Sequence, residues 1–225
     1  MQFDFTIHTM KDLEDAVQEY GFLPYFCNSL RGFSIEEHVD PMVWFSDDRE
    51  GVWEWKGPVI RETGCAYGKF FEKKAAFVSR DWFIDLANYR RDGYDYEGFF
   101  NDGLAPYKDK YLFELIEANG PLLSKDLKTI GGYGKNGRKG FDTSINRLQA
   151  QCFVLISDFK YMQDRFGNEY GWGVAEYATP EQFMGETHIA SMYSRDPKES
   201  CERLTDHIRS LLPDSKAEDV KSFLK

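Results

Sequence analysis

Three helix signals in succession, each with its own stop, followed by two strands joined through a polar turn, constrain this chain more than any other feature. From Lys108 onward Leu112, Leu115 and Ile116 share one helical face, and Asn119-Gly120-Pro121 ends that helix with a cap and a residue that cannot continue it. Ser124 caps a second helix of about one and a half turns, with Leu127 and Ile130 inward and Gly131-Gly132 as its stop. Phe141, Ile145, Leu148 and Cys152 then recur at helical spacing and fall within about 40° of one another. They predict a third helix, the longest of the three, that turns Thr143, Asn146, Arg147 and Ala150 the other way. Phe153 to Tyr161 reads as a strand, 163–168 as a turn and Tyr170 to Tyr177 as the returning strand. Helix, helix, helix, hairpin is the order of a winged helix-turn-helix, the hairpin being the wing.

The flanks read differently. Thr9 caps a helix from Met10 to Tyr20 that Gly21 stops, and Ser34 with Glu37 forms a capping box for a short helix over Ile35 to Val39. Between Met42 and Val78 the runs Trp44-Phe45, Val52-Trp53-Glu54-Trp55, Val59-Ile60 and Ala75 to Val78 are β-prone and separated by Gly51, Gly57-Pro58, Gly64 and Gly68. They predict a small β-rich aromatic section. Ser79 caps a helix over Asp81 to Arg91 that buries Trp82, Leu86 and Tyr89, and a turn-rich aromatic stretch follows from Asp92 to Gly103. Beyond Pro180, Cys201, Leu204, Ile208 and Leu211 form a stripe ended by Pro213, and Val220, Phe223 and Leu224 mark a last short helix. The expected fold class is α+β: a winged helix-turn-helix of three helices plus a β-hairpin wing, with an additional β-rich aromatic section. The expected division is 1–105 for the N-terminal helices and aromatic section, 106–180 for the winged helix and 181–225 for C-terminal helices packing back, either separate or joined in one compact unit.

Charge decides which partners are reasonable. The net charge is −10, which repels DNA unless basic residues gather on one face. Ser124 to Arg147 is such a place, with Lys125, Lys128, Lys135, Arg138, Lys139 and Arg147 against Asp126 and Asp142. Its glycine-rich loop, Gly131 to Gly140, precedes the third helix, so basic side chains and free N–H groups can meet phosphates while the helix enters the major groove. Asn146 and Arg147 are then placed for base edges, with Thr143 on the same face. At the wing, Lys160, Gln163 and Arg165 approach the tip, and Phe159, Tyr161 and Phe166 are either stacking groups or cross-strand packing. The alternative for the loop is a solvated turn in a winged helix used for packing or protein contact.

Other chemistry finds less support in the residues. No apolar run approaches the roughly 18 residues of a membrane span, and Met1-Gln2-Phe3-Asp4 has no signal-peptide character, so a cytoplasmic protein without membrane contact is expected. Cys27, Cys65, Cys152 and Cys201 are scattered, and His8, His38, His188 and His207 are isolated, so neither disulfides nor a metal site is expected. The glycine loop contains no G-x-x-x-x-G-K-[ST] string, so no nucleotide cofactor is expected either. The carboxylates in aromatic settings are chiefly Glu54, between Trp53 and Trp55, where apolar neighbours would raise its pKa toward acid–base use, and, more weakly, Glu176. On a strand Glu54 would instead face away from both rings, toward solvent or toward Lys56 and Arg61.

The string Gly120 to Lys128, the basic helix after it and the wing resemble winged-helix segments of the AlkZ (YcaQ-like) DNA glycosylase superfamily. Val52 to Pro58, Tyr67 to Phe71, Arg90 to Asp95 and Tyr170 to Tyr177 resemble, more closely, a bacterial branch called AlkZ-related. The resemblance implies a compact winged-helix protein in a superfamily whose active members remove damaged bases, including interstrand crosslinks, through a Q-x-Q or Q-x-D motif. Gln149-Ala150-Gln151 carries those letters at the end of the third helix, where the two side chains project about 200° apart. Three readings stay open: DNA binding through the basic segment and wing; a reduced glycosylase, a hydrolase in which Glu54, Gln149 or Gln151 supports catalysis; and a non-catalytic module that binds a protein or small ligand through aromatic surface such as Trp55 and Tyr94.

Overall fold

The structure is a computed structural model that describes residues 3–44, 50–167 and 169–225, residues 169 and 170 by backbone alone. Its helices are α1 (Met10–Tyr20), α2 (Ile35–His38), α3 (Pro41–Trp44), α4 (Lys56–Thr63), α5 (Arg80–Arg91), α6 (Tyr96–Asn101), α7 (Tyr107–Asn119), α8 (Ser124–Ile130), α9 (Phe141–Ala150), α10 (Pro180–Met184), α11 (Glu186–Ala190), α12 (Pro197–Leu211) and α13 (Ala217–Phe223). The strands are β1 (Phe22–Pro24), β2 (Ala66–Phe71), β3 (Lys74–Val78), β4 (Leu122–Leu123), β5 (Leu155–Gln163) and β6 (Glu169–Ala178). All six join in one antiparallel sheet, in the order β1-β3-β2-β5-β6-β4. The chain is thus a mixed helix-and-sheet protein, and one apolar core extends from Phe3 to Leu224. Among the described residues no helix is long and apolar enough to cross a membrane.

The expected β-rich section between Met42 and Val78 is only partly a sheet. Ala75 to Val78 lies in β3, but Trp44 ends a helix, Val52 to Trp55 is wound in a turn, and Val59-Ile60 lies within α4; Phe45 is outside the described residues. Distant partners explain the turn. The buried Tyr25 hydroxyl donates to the Val52 carbonyl at 2.5 Å, and the Trp53 ring packs on Tyr25 and Trp44, so these side chains are gathered on one centre instead of alternating across a pleat. Pro58 sits in the first turn of α4, where its missing N–H costs nothing. Gly68 does not interrupt a strand but lies inside β2, where a Cβ would come within 2.9 Å of the Phe70 ring. The β2–β3 turn places Glu72 and Lys73 at φ 50° and 61°, the left-handed pair of a tight hairpin.

From α7 to β6 the elements follow the predicted order, and β4 adds beside β6 through Leu122 opposite Tyr177. The third helix is not the longest: α9 has 10 residues against 13 in α7, and Cys152, at φ 61°, is buried beyond its end. Ser124 is inside α8 with Leu123 at the cap position, and Ile130, expected to face inward, is 52% exposed. In α5 the buried face is Phe83, Leu86, Ala87 and Arg91, while Trp82 and Tyr89 are half-buried and Ser79 makes no side-chain cap. The register is set by α12 and the residues just before it: buried Asp85 accepts from Arg195, from Ser200 at 2.8 Å and from Arg203 at 3.1 Å. The stretch from Asp92 to Gly103 contains α6, capped by Asp95, whose side chain accepts from the Gly98 N–H at 2.7 Å.

Candidate functional site

The basic segment is an organised surface. Its loop closes on itself: the Arg138 N–H donates to the Gly132 carbonyl at 2.8 Å, and Lys139 Nζ donates to the carbonyls of Gly134 and Lys135 at 2.7 and 2.6 Å. Glycine is required at 137, since a Cβ there would stand 2.2 Å from the Gly132 carbonyl oxygen. Tyr133 anchors the loop edge-on against Phe141 at the start of α9, and the Arg138 guanidinium lies over the Tyr111 ring at 3.9 Å. Lys125, Lys135, Arg138, Lys139 and Thr143 are exposed. Lys125 Nζ reaches Met162 Sδ of the hairpin at 3.2 Å, and Arg165 covers the exposed Phe166 ring at the hairpin tip at 4.7 Å; Asn168, the last residue of the predicted turn, lies outside the described residues.

Three other residues of that segment are half-buried against the fold. Lys128 Nζ sits over Phe141 at 4.7 Å and 3.6 Å from Asp142, while half-buried Asn146 lies beside Arg147. Arg147 Nη1 lies 3.2 Å from Asp109 Oδ2 on α7, and the Asp109 side chain is 1% exposed. Burial pushes the Asp109 carboxyl above its ordinary range, with Ser144 and Arg147 opposing the shift.

A cleft of about 660 Å³ opens where the turn before α4 faces β5 and β6, and it is lined by Glu54, Arg61, Phe159, Lys160, Tyr161 and Gln163 among others. Glu54 is half-buried and its Oε2 accepts from the Gly51 N–H at 2.9 Å. It is on a turn, not a strand, and the cations nearby are arranged otherwise than the sequence predicts. Arg61 pairs with buried Asp158 of β5, which Lys160 also reaches, so one carboxylate gathers two cations at the cleft wall. Gly57 permits this approach, since a Cβ there would lie 3.0 Å from Asp158 Oδ1. Lys56 does not pair with Glu54: its Nζ lies 4.9 Å from the Trp53 ring centre and 4.7 Å from that of Phe159. Burial lowers the Lys56 pKa, and the Glu54 charge opposes this. Asp158 and the aromatic seat of Lys56 escaped sequence reasoning; an acidic residue closing the apolar start of β5, Leu155-Ile156-Ser157-Asp158, was the available signal.

A family model described as AlkZ related matches residues 7–225, nearly the whole chain. The chain belongs to the AlkZ-related family. No curated protein and no solved structure matches it. Within this member of the family the two glutamines of Gln149-Ala150-Gln151 do not share a site. Gln149 is 1% exposed; its Oε1 accepts from the Lys69 N–H at 3.1 Å and its Nε2 donates to the Ile145 carbonyl at 3.2 Å, tying α9 to β2. Gln151 follows the helix, with its Oε1 buried. Trp55 is buried in the core and the half-buried Tyr94 donates to Asp102 at 2.8 Å, so the aromatic surface expected of them is not formed by Trp55.

A second cleft, of about 630 Å³, is lined by Asp95, Glu97, Glu117, Glu181 and Glu186 around buried Arg91. Arg91 pairs with Glu181 at 2.8 Å and donates to the Cys152 carbonyl at 2.8 Å. Burial and the charges of Glu181, Glu114 and Glu97 raise the Glu117 pKa. This cleft is predominantly acidic, whereas in the cleft beside the hairpin Arg61 and Lys160 stand against Glu50 and Glu54.

Proposed function

We propose that the protein binds distorted or damaged DNA through a winged helix formed by residues 106–180 and offers an extruded nucleotide to the cleft beside the wing. In this reading α9 is the recognition helix, the hairpin of β5 and β6 is the wing, and β4 closes the small sheet on the far side of β6. Lys125, Lys135, Arg138, Lys139 and Arg165 contact phosphates, Thr143 and Asn146 face the groove, and Lys128 and Arg147 act from the edge of the same surface while bracing it.

The observation that carries the reading is the meeting of two carboxylates, Glu50 and Glu54, two cations and two aromatic rings in one cleft against the wing. Cations hold phosphates, rings stack on a flipped base, and a carboxylate stabilises positive charge developing on the sugar or orients a water. Together with the family, this supports a glycosylase-like hydrolase in which Glu54 is the acting carboxylate. Gln149, within α9, is engaged in packing, and Gln151, just after that helix, is not among the residues that line the cleft.

The test is fluorescence anisotropy with intact, single-stranded and abasic duplex DNA at two salt concentrations, alongside single-turnover base release from alkylated DNA. We expect salt-dependent binding that favours the abasic duplex and base release that falls at least tenfold in E54Q. Undetectable binding at low salt overturns the reading. A second reading, a module for a protein partner, is favoured by Trp172 and Phe166, which are 77% and 73% exposed on the hairpin. Binding of a protein that survives R138A/K139A and fails in W172A would support it.

A further inference from the structure

We propose that Lys56 is an amine nucleophile toward aldehydic sugar, so that the cleft closes covalently on the ring-opened deoxyribose of an abasic site; this rests on the reading of the cleft as a DNA-lesion site. Three observations set the amine beside that cleft. Lys56 is the first residue of α4, next but one to Glu54, and its Nζ is seated against Phe159, a ring that itself lines the cleft. Unlike Arg61 and Lys160, which share Asp158, Lys56 has no carboxylate within ion-pair distance among the described residues. The seat is apolar, formed by the faces of Trp53 and Phe159, and burial there disfavours the ammonium. A lysine desolvated in this way presents its lone pair more often at neutral pH, which is what imine formation requires.

The Nζ lone pair adds to the C1′ aldehyde carbon, and the carbinolamine loses one water to give the imine. Glu54 accepts the C2′ proton; the electron pair left at C2′ forms the C2′–C3′ double bond as the C3′–O bond breaks and the 3′-phosphate departs. Water then hydrolyses the imine and returns free Lys56. No oxidant, reductant or metal enters the balance.

The test uses the full chain and a duplex with one abasic site, prepared beforehand so that base removal by this protein is not needed. Sodium borohydride reduces the imine to a stable secondary amine, whose position is read by peptide mass mapping; anisotropy on the same duplex reports binding. We expect an adduct on Lys56, at least a tenfold loss of trapping in K56R, and, in E54Q, trapping retained with strand scission reduced. Arginine keeps the positive charge over the two rings, and the wild-type adduct map decides the matter if K56R unfolds. Binding without an adduct, or an adduct on another amine, overturns the role of Lys56 and leaves the cleft reading standing. Failure to bind the abasic duplex at low salt overturns both.

Discussion

Arg147 and Arg138 belong to the same basic segment, yet their surroundings assign them different work. Arg147 pairs with Asp109, whose side chain is 1% exposed, whereas Arg138 lies on the outside over Tyr111. Truncating one partner of a buried pair is costly because the other charge stays behind; here the guanidinium is 40% exposed, so water takes up part of the loss. R147A is expected to cost about 1–2 kcal/mol by urea unfolding, and much less in a D109N background, where no charge is left uncompensated. R138A should change stability by less than about 0.5 kcal/mol and instead lower the salt slope of DNA binding by about one. Equal stability losses for the two would mean that the Asp109 pair carries no weight.

The loop from Gly131 to Gly140 makes the corresponding argument for an element, because its shape and its charge can be changed separately. In G137A the new Cβ would collide with the Gly132 carbonyl and break the pairing between Gly132 and Arg138 without removing any charge. Faster hydrogen exchange at the Arg138 amide and a severalfold weaker DNA complex are expected; unchanged affinity would show that charge alone suffices. Elements of this kind were legible to different degrees. Where apolar residues recur at helical spacing, as in α7, α9 and α12, the stripe meets the core and the sequence predicts the helix. From Val52 to Ile60 short aromatic and β-branched runs have no period that separates strand from turn or helix, and Tyr25 and Trp44, which fix the turn, lie outside the run. The cleft suffers from the same non-locality: Glu54 stands out in the sequence, but Asp158 meets Arg61 across a separation of 97 residues.

For the whole molecule, the single sheet that joins the aromatic section to the hairpin also buries two thiols, and these make its stability depend on alkaline pH. Cys65, just before β2, and Cys152, just after α9, are both fully buried, and burial pushes their thiols from the ordinary 9.0 up to about 12 and about 11. The unfolded chain releases these protons near pH 9 while the folded chain keeps them, so above that pH the unfolded state binds fewer protons and stability falls as pH rises. Their contribution is fully present below pH 9.0 and is lost on the way to the folded values. Each thiol contributes a slope of about 1.4 kcal/mol per pH unit once the unfolded thiol is ionised. Buried Tyr25 and Tyr67, also raised by burial, add to the fall only above their ordinary 10.0. Urea unfolding between pH 7 and 10 should therefore show a plateau followed by a decline that begins near pH 9, and C65A should remove about half of the early slope whatever its cost in absolute stability. A wild-type decline that C65A and C152A both leave unchanged would place the alkaline sensitivity elsewhere and would mean that these thiols ionise as readily in the folded sheet as in the open chain.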